Sequence, residues 1–297
     1  MRQLSDNQSH KTHLIFILKL HLNCLQTVSF FLTPFCLFSD MDILFTLKHL
    51  LFSGFYNGHR VHSPNIFDFY IKAIFSKENF DYSLAENTLK NLKKSKQKIK
   101  VLSVGAKGNG SITEKEISKI AKNSSSYGRY GRLLQRISAY LKPKKILELG
   151  TSLGIGTIYL SSGYKDSEVI TIEACPQTQK FAENNFKNLG IVNIKSINAN
   201  FDDVLDTILT ENEDISLIFV DGNHTYEATK KYFATICQHA KKQTVAVFDD
   251  INWSSGMSKA WNEIKNSEKT IVAIETLRMG IIFFDSNLTQ KIYCTRY

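Results

Sequence analysis

From residue 144 onward, short apolar runs alternate with stretches whose apolar residues recur every three to four positions. The runs are 145–149 (KILEL), 168–172 (EVITI), 193–197 (NIKSI), 216–220 (SLIFV) and 244–248 (TVAVF). That rhythm predicts βαβ units, hence a parallel sheet with helices on both faces. Two more runs, 271–275 (IVAIE) and 280–284 (GIIFF), are separated by so few residues that only an antiparallel pair can join them. The expectation is a doubly wound α/β domain over residues 126–297. Its sheet would have seven mostly parallel strands, the last one antiparallel.

Upstream the period changes. Residues 41–52 and 65–75 place apolar side chains at helical spacing. Between them a loop carries His59, Arg60 and His62, which reads as a surface turn or as a cover over a cleft. Residues 96–111 are rich in Lys and Gly and read as a linker, with Gly105, Gly108 and Gly110 as loop glycines. Residues 113–124 and 130–141 read as helices. Residues 41–125 therefore form a helical cap and linker. Residues 1–40 form an apolar extension, in which 14–18 and 28–38 are separated by Lys19, His21, Asn23 and Gln26. A spanning helix needs about 20 predominantly apolar residues, and no small-residue cleavage site follows. A membrane contact through residues 14–38 stays open.

With 297 residues and 43% hydrophobic content the chain can bury a core without disulfides. The formal charge of +9 allows acidic partners. Its densest run, Lys90 to Lys100, has no aromatic or Arg interleaving and reads as a solvated face. Cys24, Cys36, Cys175, Cys237 and Cys294 are widely spaced with no CxxC, which points to a reducing, cytoplasmic setting.

The chemistry begins after the first of the five runs. Glu148, Gly150, Thr151, Ser152, Gly154 and Gly156 lie where a strand gives way to a helix, and glycine lets the backbone turn sharply beside a ligand. Glu173, followed by Ala174, ends the next strand, where a carboxylate can accept hydrogen bonds from both ribose hydroxyls. Asn200, Phe201 and Asp202 follow the third strand, placing an aromatic ring and an acid where an adenine could lie. Residues 144–285 resemble the class I S-adenosylmethionine-dependent methyltransferases, whose first motif is an acid followed by GxxxGxG. The resemblance implies a Rossmann-like fold and S-adenosyl-L-methionine as cofactor. A nicotinamide Gly-x-Gly-x-x-Gly cannot be laid on this turn. Tyr130 or Gly131, just before the motif, would lie near the methionine moiety.

Two further strand ends carry acids: Asp221, with His224 three positions on, and the pair Asp249 and Asp250. Three oxygen ligands suit a hard cation such as Mg²⁺, which would bind and acidify a substrate hydroxyl. This part is similar to the metal-dependent O-methyltransferases, catechol O-methyltransferase among them, with Asp250 in place of Asn and His224 in place of a lysine base. It is also similar to relatives of macrolide-sugar O-methyltransferases, where metal use varies. The resemblance implies His224 as base, Asp221 beside it, and Asp221, Asp249 and Asp250 as the metal set. Simpler roles are a helix cap for Asp250, a turn contact for His224, and packing for Trp253 and Trp261. The expected activity is methyl transfer to a hydroxyl of a small molecule. The rivals are a nucleic-acid methyltransferase, disfavoured by the absence of Asn-Pro-Pro-Tyr and Pro-Cys elements, and a non-catalytic cofactor-binding protein. A homodimer stays open.

Overall fold

A computed structural model describes residues 61–102, 110–123 and 127–297. The extension 1–40, the loop residues His59 and Arg60, and Gly105 and Gly108 lie outside the described residues.

The helices are α1 (Pro64–Phe69, continuing as a π-helix over Tyr70–Ile74), α2 (Ser83–Leu92), α3 (Ile117–Asn123), α4 (Tyr127–Leu141), α5 (Ile155–Gly163), α6 (Pro176–Asn188), α7 (Phe201–Glu211), α8 (Tyr226–His239) and α9 (Ser255–Lys265). The strands are β1 (Lys98–Leu102), β2 (Ile112–Glu116), β3 (Lys145–Leu149), β4 (Glu168–Glu173), β5 (Ile194–Asn198), β6 (Ile215–Val220), β7 (Val245–Phe248), β8 (Val272–Glu275), β9 (Gly280–Phe283) and β10 (Lys291–Cys294).

Among the described residues the main sheet has eight strands, in the order β10-β8-β9-β7-β6-β3-β4-β5. All neighbours pair parallel except at β9, which runs antiparallel to both β7 and β8. The mostly parallel, doubly wound architecture is as expected, and β8 and β9 form the expected antiparallel pair. Two details differ. The sheet has an eighth strand, and the antiparallel strand is the one before it, because β10 crosses to the outer edge of β8. Only four residues, KIYC, make β10, too few for the alternation to stand out.

The inner strands are buried on both faces, and their alternation sorts the core into two layers. Ile146, Val169, Leu217, Phe219, Val245 and Val247 face one layer, with Leu134 and Ile137 of α4, Ile158 of α5 and Phe186 of α6. Leu147, Leu149, Ile170, Ile218, Val220 and Phe248 face the other, with Leu205 of α7, Phe233 and Ile236 of α8 and Trp261 of α9. Trp261 is thus core, as its packing role anticipates.

Residues 96–116 depart from the reading as linker followed by helix. β1 and β2 pair as an antiparallel two-stranded sheet, and a helix begins only at Ile117. Lys98 and Lys100 of β1 and Glu114 and Lys115 of β2 are exposed, which is why the segment looks like a solvated tract. The sheet rests on α6, where the Leu102 amide donates to Cys175 Sγ at 3.3 Å.

The helical segment before it is tied into the same body. Arg136 on α4 is buried and donates to the carbonyls of Ala73 (2.7 Å) and Ile74 (3.0 Å), satisfying the end of the π-helical turn. The Tyr70 hydroxyl bonds to Thr295 just past β10. No helix of the described residues is long and apolar enough to cross a membrane.

Candidate active site

The sheet order reverses at β3, with β4 on one side and β6 on the other, and the functional side chains gather at the carboxyl ends of these strands. The turn after β3 is locked from three directions. The Gly150 and Thr151 amides both donate to the Ile172 carbonyl, at 3.0 and 3.2 Å. Gly150 has φ +110°, and a Cβ there would sit 2.1 Å from the Asp221 carbonyl oxygen, so no side chain fits. Gly154 takes φ +85° as it opens α5.

Glu148 lies wholly buried beneath the turn. Its Oε2 accepts from the hydroxyls of Thr157 (2.5 Å) and Thr171 (2.6 Å), and Thr171 also meets Thr151 at 2.6 Å. Its Oε1 has no hydrogen-bond partner. Burial raises the carboxyl to about 8, against the two threonine bonds that lower it. An unpaired oxygen in so dry a place calls for a polar group from outside the described chain.

Glu173 fastens the next strand end to the turn. Its Oε2 accepts the Ser152 amide and its Oε1 the Cys175 amide, each at 2.9 Å. Burial raises its pKa, while these amides and that of Ala174 pull it down. Ser152 adopts φ +47° to deliver its N–H. Each carboxylate oxygen keeps acceptor capacity beyond its backbone partner, so Glu173 is held in place with lone pairs to spare.

The third strand end is less open than expected. Asn200 caps α7, accepting the Asp202 amide. Phe201 is only 8% exposed, with its ring edge-on to Tyr232 and pressed under Gly222, so little of it is free to flank a base. The Asp202 carboxylate is paired with Lys231 at 2.9 Å. Tyr130, on α4, packs its ring edge-on to Tyr297 at 5.4 Å. Gly131 is packed tightly on the Tyr159 ring.

The acids after β6 and β7 do converge, around a cation that the sequence reading did not find. Arg278, in the turn between β8 and β9, holds Asp249 in a two-pronged pair, Nε to Oδ1 at 2.7 Å and Nη2 to Oδ2 at 2.6 Å. Its Nη2 also lies 3.2 Å from Asp250 Oδ1. The pairing follows from the register: Phe248 faces Gly280, and just beyond that pair the Ile251 amide donates to the Arg278 carbonyl at 3.0 Å. His224 Nε2 stands 3.5 Å from Asp221 Oδ1 and 3.8 Å from Asp250 Oδ2. Asn223 and Asp250 sit at φ +50° and +52°, conformations that aim the loops into this cluster.

The charges set each other. Burial raises Asp249, but the Arg278 guanidinium outweighs it and holds the carboxyl below its usual value. Burial and the Asp249 charge push Asp250 up to about 7. Burial also raises Asp221, with Asp249 adding to it. Burial would lower His224, yet its bond to Asp221 and the charges of Asp250, Asp221 and Asp249 hold it at about 9.

Asp221, Asp249 and Asp250, the expected metal set, gather here around the Arg278 guanidinium and His224. Among the described residues no three His, Cys, Asp or Glu side chains are grouped to hold a metal ion. Asp249 turns both oxygens to Arg278, and a divalent ion there would face the guanidinium at close range. Nor is Asp250 a helix cap: Ser254 caps α9, accepting the Met257 amide. The helix after β6 is capped by Thr225, which accepts the Ala228 amide at 3.2 Å. Thr225→Ala is expected to cost about 1 kcal/mol of stability, read as a lower urea midpoint.

Residues 147–251 match the family model described as a methyltransferase domain. A curated protein of Mycobacterium sp. (strain JLS), named "Putative O-methyltransferase", is 30% identical over 96 residues, covering 31% of this chain and 43% of the relative. The chain thus matches less than half the length of the curated relatives. Among solved structures, the O-methyltransferase from Bacillus cereus in complex with SAH is 20% identical, with 52% of this chain and 81% of that one covered and a TM-score of 0.44. A SAH-bound methyltransferase of Podospora anserina is 16% identical, with 70% and 98% covered and a TM-score of 0.47.

Proposed function

We propose that this chain is an S-adenosylmethionine-dependent methyltransferase acting on a hydroxyl of a small molecule. Residues 126–297 would be the methyltransferase domain, and 41–125 would cap it. The observation that carries the reading is Glu173. It is a carboxylate fixed by two backbone amides beside a glycine turn, with acceptor sites left over, a few strands from an acid–histidine cluster.

The residues fit the cofactor. Glu173 has the acceptors for the ribose hydroxyls, Gly150, Thr151, Ser152, Gly154 and Gly156 form the turn, and the unpaired Glu148 Oε1 waits for a polar partner nearby. Asn200, Phe201 and Asp202 border the adenine side, and Tyr130 the methionine side. When bound, S-adenosylmethionine supplies a methyl group on a cationic sulfur. The chain supplies the rest. His224, steadied by Asp221 and Asp250, takes the proton of the acceptor hydroxyl, and the freed oxygen then becomes the nucleophile. A small-molecule acceptor is favoured over nucleic acid, whose base-methylating motifs are missing from the sequence. A cytoplasmic setting agrees with the free thiols of Cys175, Cys237 and Cys294.

Initial-rate methylation of a panel of catechols and sugars tests the reading. Since His224 is held protonated until about pH 9, kcat/KM should climb as pH rises through that value. His224→Ala is expected to lower the rate by about 100-fold or more and to flatten the climb. A protein with no transfer to any hydroxyl, or a rate indifferent to His224, refutes the assignment.

A further inference from the structure

The cation at the acceptor end of the site is part of the chain itself. Arg278 reaches Asp249 and Asp250 through Nε and Nη2, which leaves Nη1 with no hydrogen-bond partner among the described residues. The side chain keeps 17% of its surface exposed, so this last nitrogen is not sealed off. His224 lies near Asp221 and Asp250, sharing Asp250 with Arg278. A guanidinium with two prongs spent on carboxylates has a fixed direction, and its remaining N–H groups are pre-aimed donors.

We propose that Arg278 is the resident cation of this site in place of a divalent metal, and that its Nη1 donates to the acceptor oxygen as that oxygen loses its proton to His224. This rests on the methyltransferase reading for the acceptor, though not for the exclusion of metal. Charge in the transition state builds on the attacking oxygen before the methyl group neutralises it, and a donor fixed in advance stabilises it without reorganising. Arg278 keeps its own protons throughout: the hydroxyl proton goes to His224, the oxygen forms a bond to the methyl carbon, and the carbon–sulfur bond breaks. The substrate class that fits is a hydroxyl whose conjugate base is stabilised by one N–H donor, such as a phenol or an enol, with no need for two adjacent oxygens to chelate an ion.

The experiment uses the full chain and Mn²⁺ as probe, followed by electron paramagnetic resonance, with affinity for S-adenosylhomocysteine measured by calorimetry on the same samples. Wild type is expected to show no stoichiometric Mn²⁺ site, and Arg278→Lys, which keeps the charge, should show none either. With a hydroxyl acceptor, Arg278→Lys is expected to reduce kcat/KM by about 100-fold, as for loss of one oxyanion donor, with S-adenosylhomocysteine affinity unchanged. One equivalent of Mn²⁺ on wild type, removed by Asp249→Ala, overturns the proposal. So does an unaltered kcat/KM in Arg278→Lys. Absence of S-adenosylhomocysteine binding would instead sink the cofactor reading, and the Mn²⁺ measurement decides the metal question regardless.

Discussion

Glu173→Ala is expected to weaken S-adenosylhomocysteine binding by about 100-fold, measured by titration calorimetry. The magnitude takes the low end for losing hydrogen bonds from two ribose hydroxyls to a charged acceptor, about 1.5 kcal/mol each. Two features make the effect larger than at an ordinary surface acid. The carboxylate is pinned by the Ser152 and Cys175 amides, so it does not have to be ordered when ligand arrives. Its removal also leaves the Ser152 amide, held at positive φ, without the acceptor that justifies that conformation. Asp202→Ala serves as the comparison. Its carboxylate is already engaged by Lys231, and the expected loss is much smaller. Equal losses at the two positions would mean that the ribose is gripped elsewhere.

Asp249→Ala should be the most destabilising single change in the acid cluster, by about 3–5 kcal/mol in urea unfolding. Asp249 is 1% exposed and holds Arg278 by two bonds, so its removal strands a guanidinium in a place poor in water. Asp250 lies at 3.2 Å from the same nitrogen and recovers only part of the loss. Removing both partners, as in Asp249→Leu with Arg278→Met, should cost less than Asp249→Ala alone, since no buried charge is then left over. The pair also fixes a pH sign. Asp249 is held below its unfolded value, so its contribution is present at neutral pH and is lost as pH falls through its folded pKa. Stability unchanged by Asp249→Ala would show that the pair is not formed.

The sequence carried the parts of the site that depend on local backbone chemistry. Gly150 and Gly154 need positive φ, and Glu173 stands at a strand end that the apolar runs mark out. What it did not carry were partnerships between distant segments. Asp249 and Arg278 are 29 positions apart, and each looks complete by itself: one a strand-end acid, the other a turn residue. A lone arginine between two apolar runs, in a turn too short to leave the sheet, is the signal that was there to be used. The packing of Phe201 is hidden for a similar reason, because only the folded chain brings Gly222 and Tyr232 over its ring. The strands β1 and β2 were hidden by their lysines and glutamates, which make a solvated pleat resemble a tether.

The single reversed strand has a consequence for how such a rim can change over time. A strand that runs with its neighbours brings its end to the reactive side and its beginning to the opposite side. β9 does the contrary: it departs from the reactive side, so the chain visits that rim on leaving β8 and has not yet moved away when Arg278 is laid down. The position is a tight bend rather than a long excursion, and one substitution there trades a fixed positive charge for none while the parallel strands beneath stay untouched. If Arg278 takes the place of a metal as proposed, ion dependence in a protein built this way is set at a hairpin, 29 positions along the chain from the acid it serves.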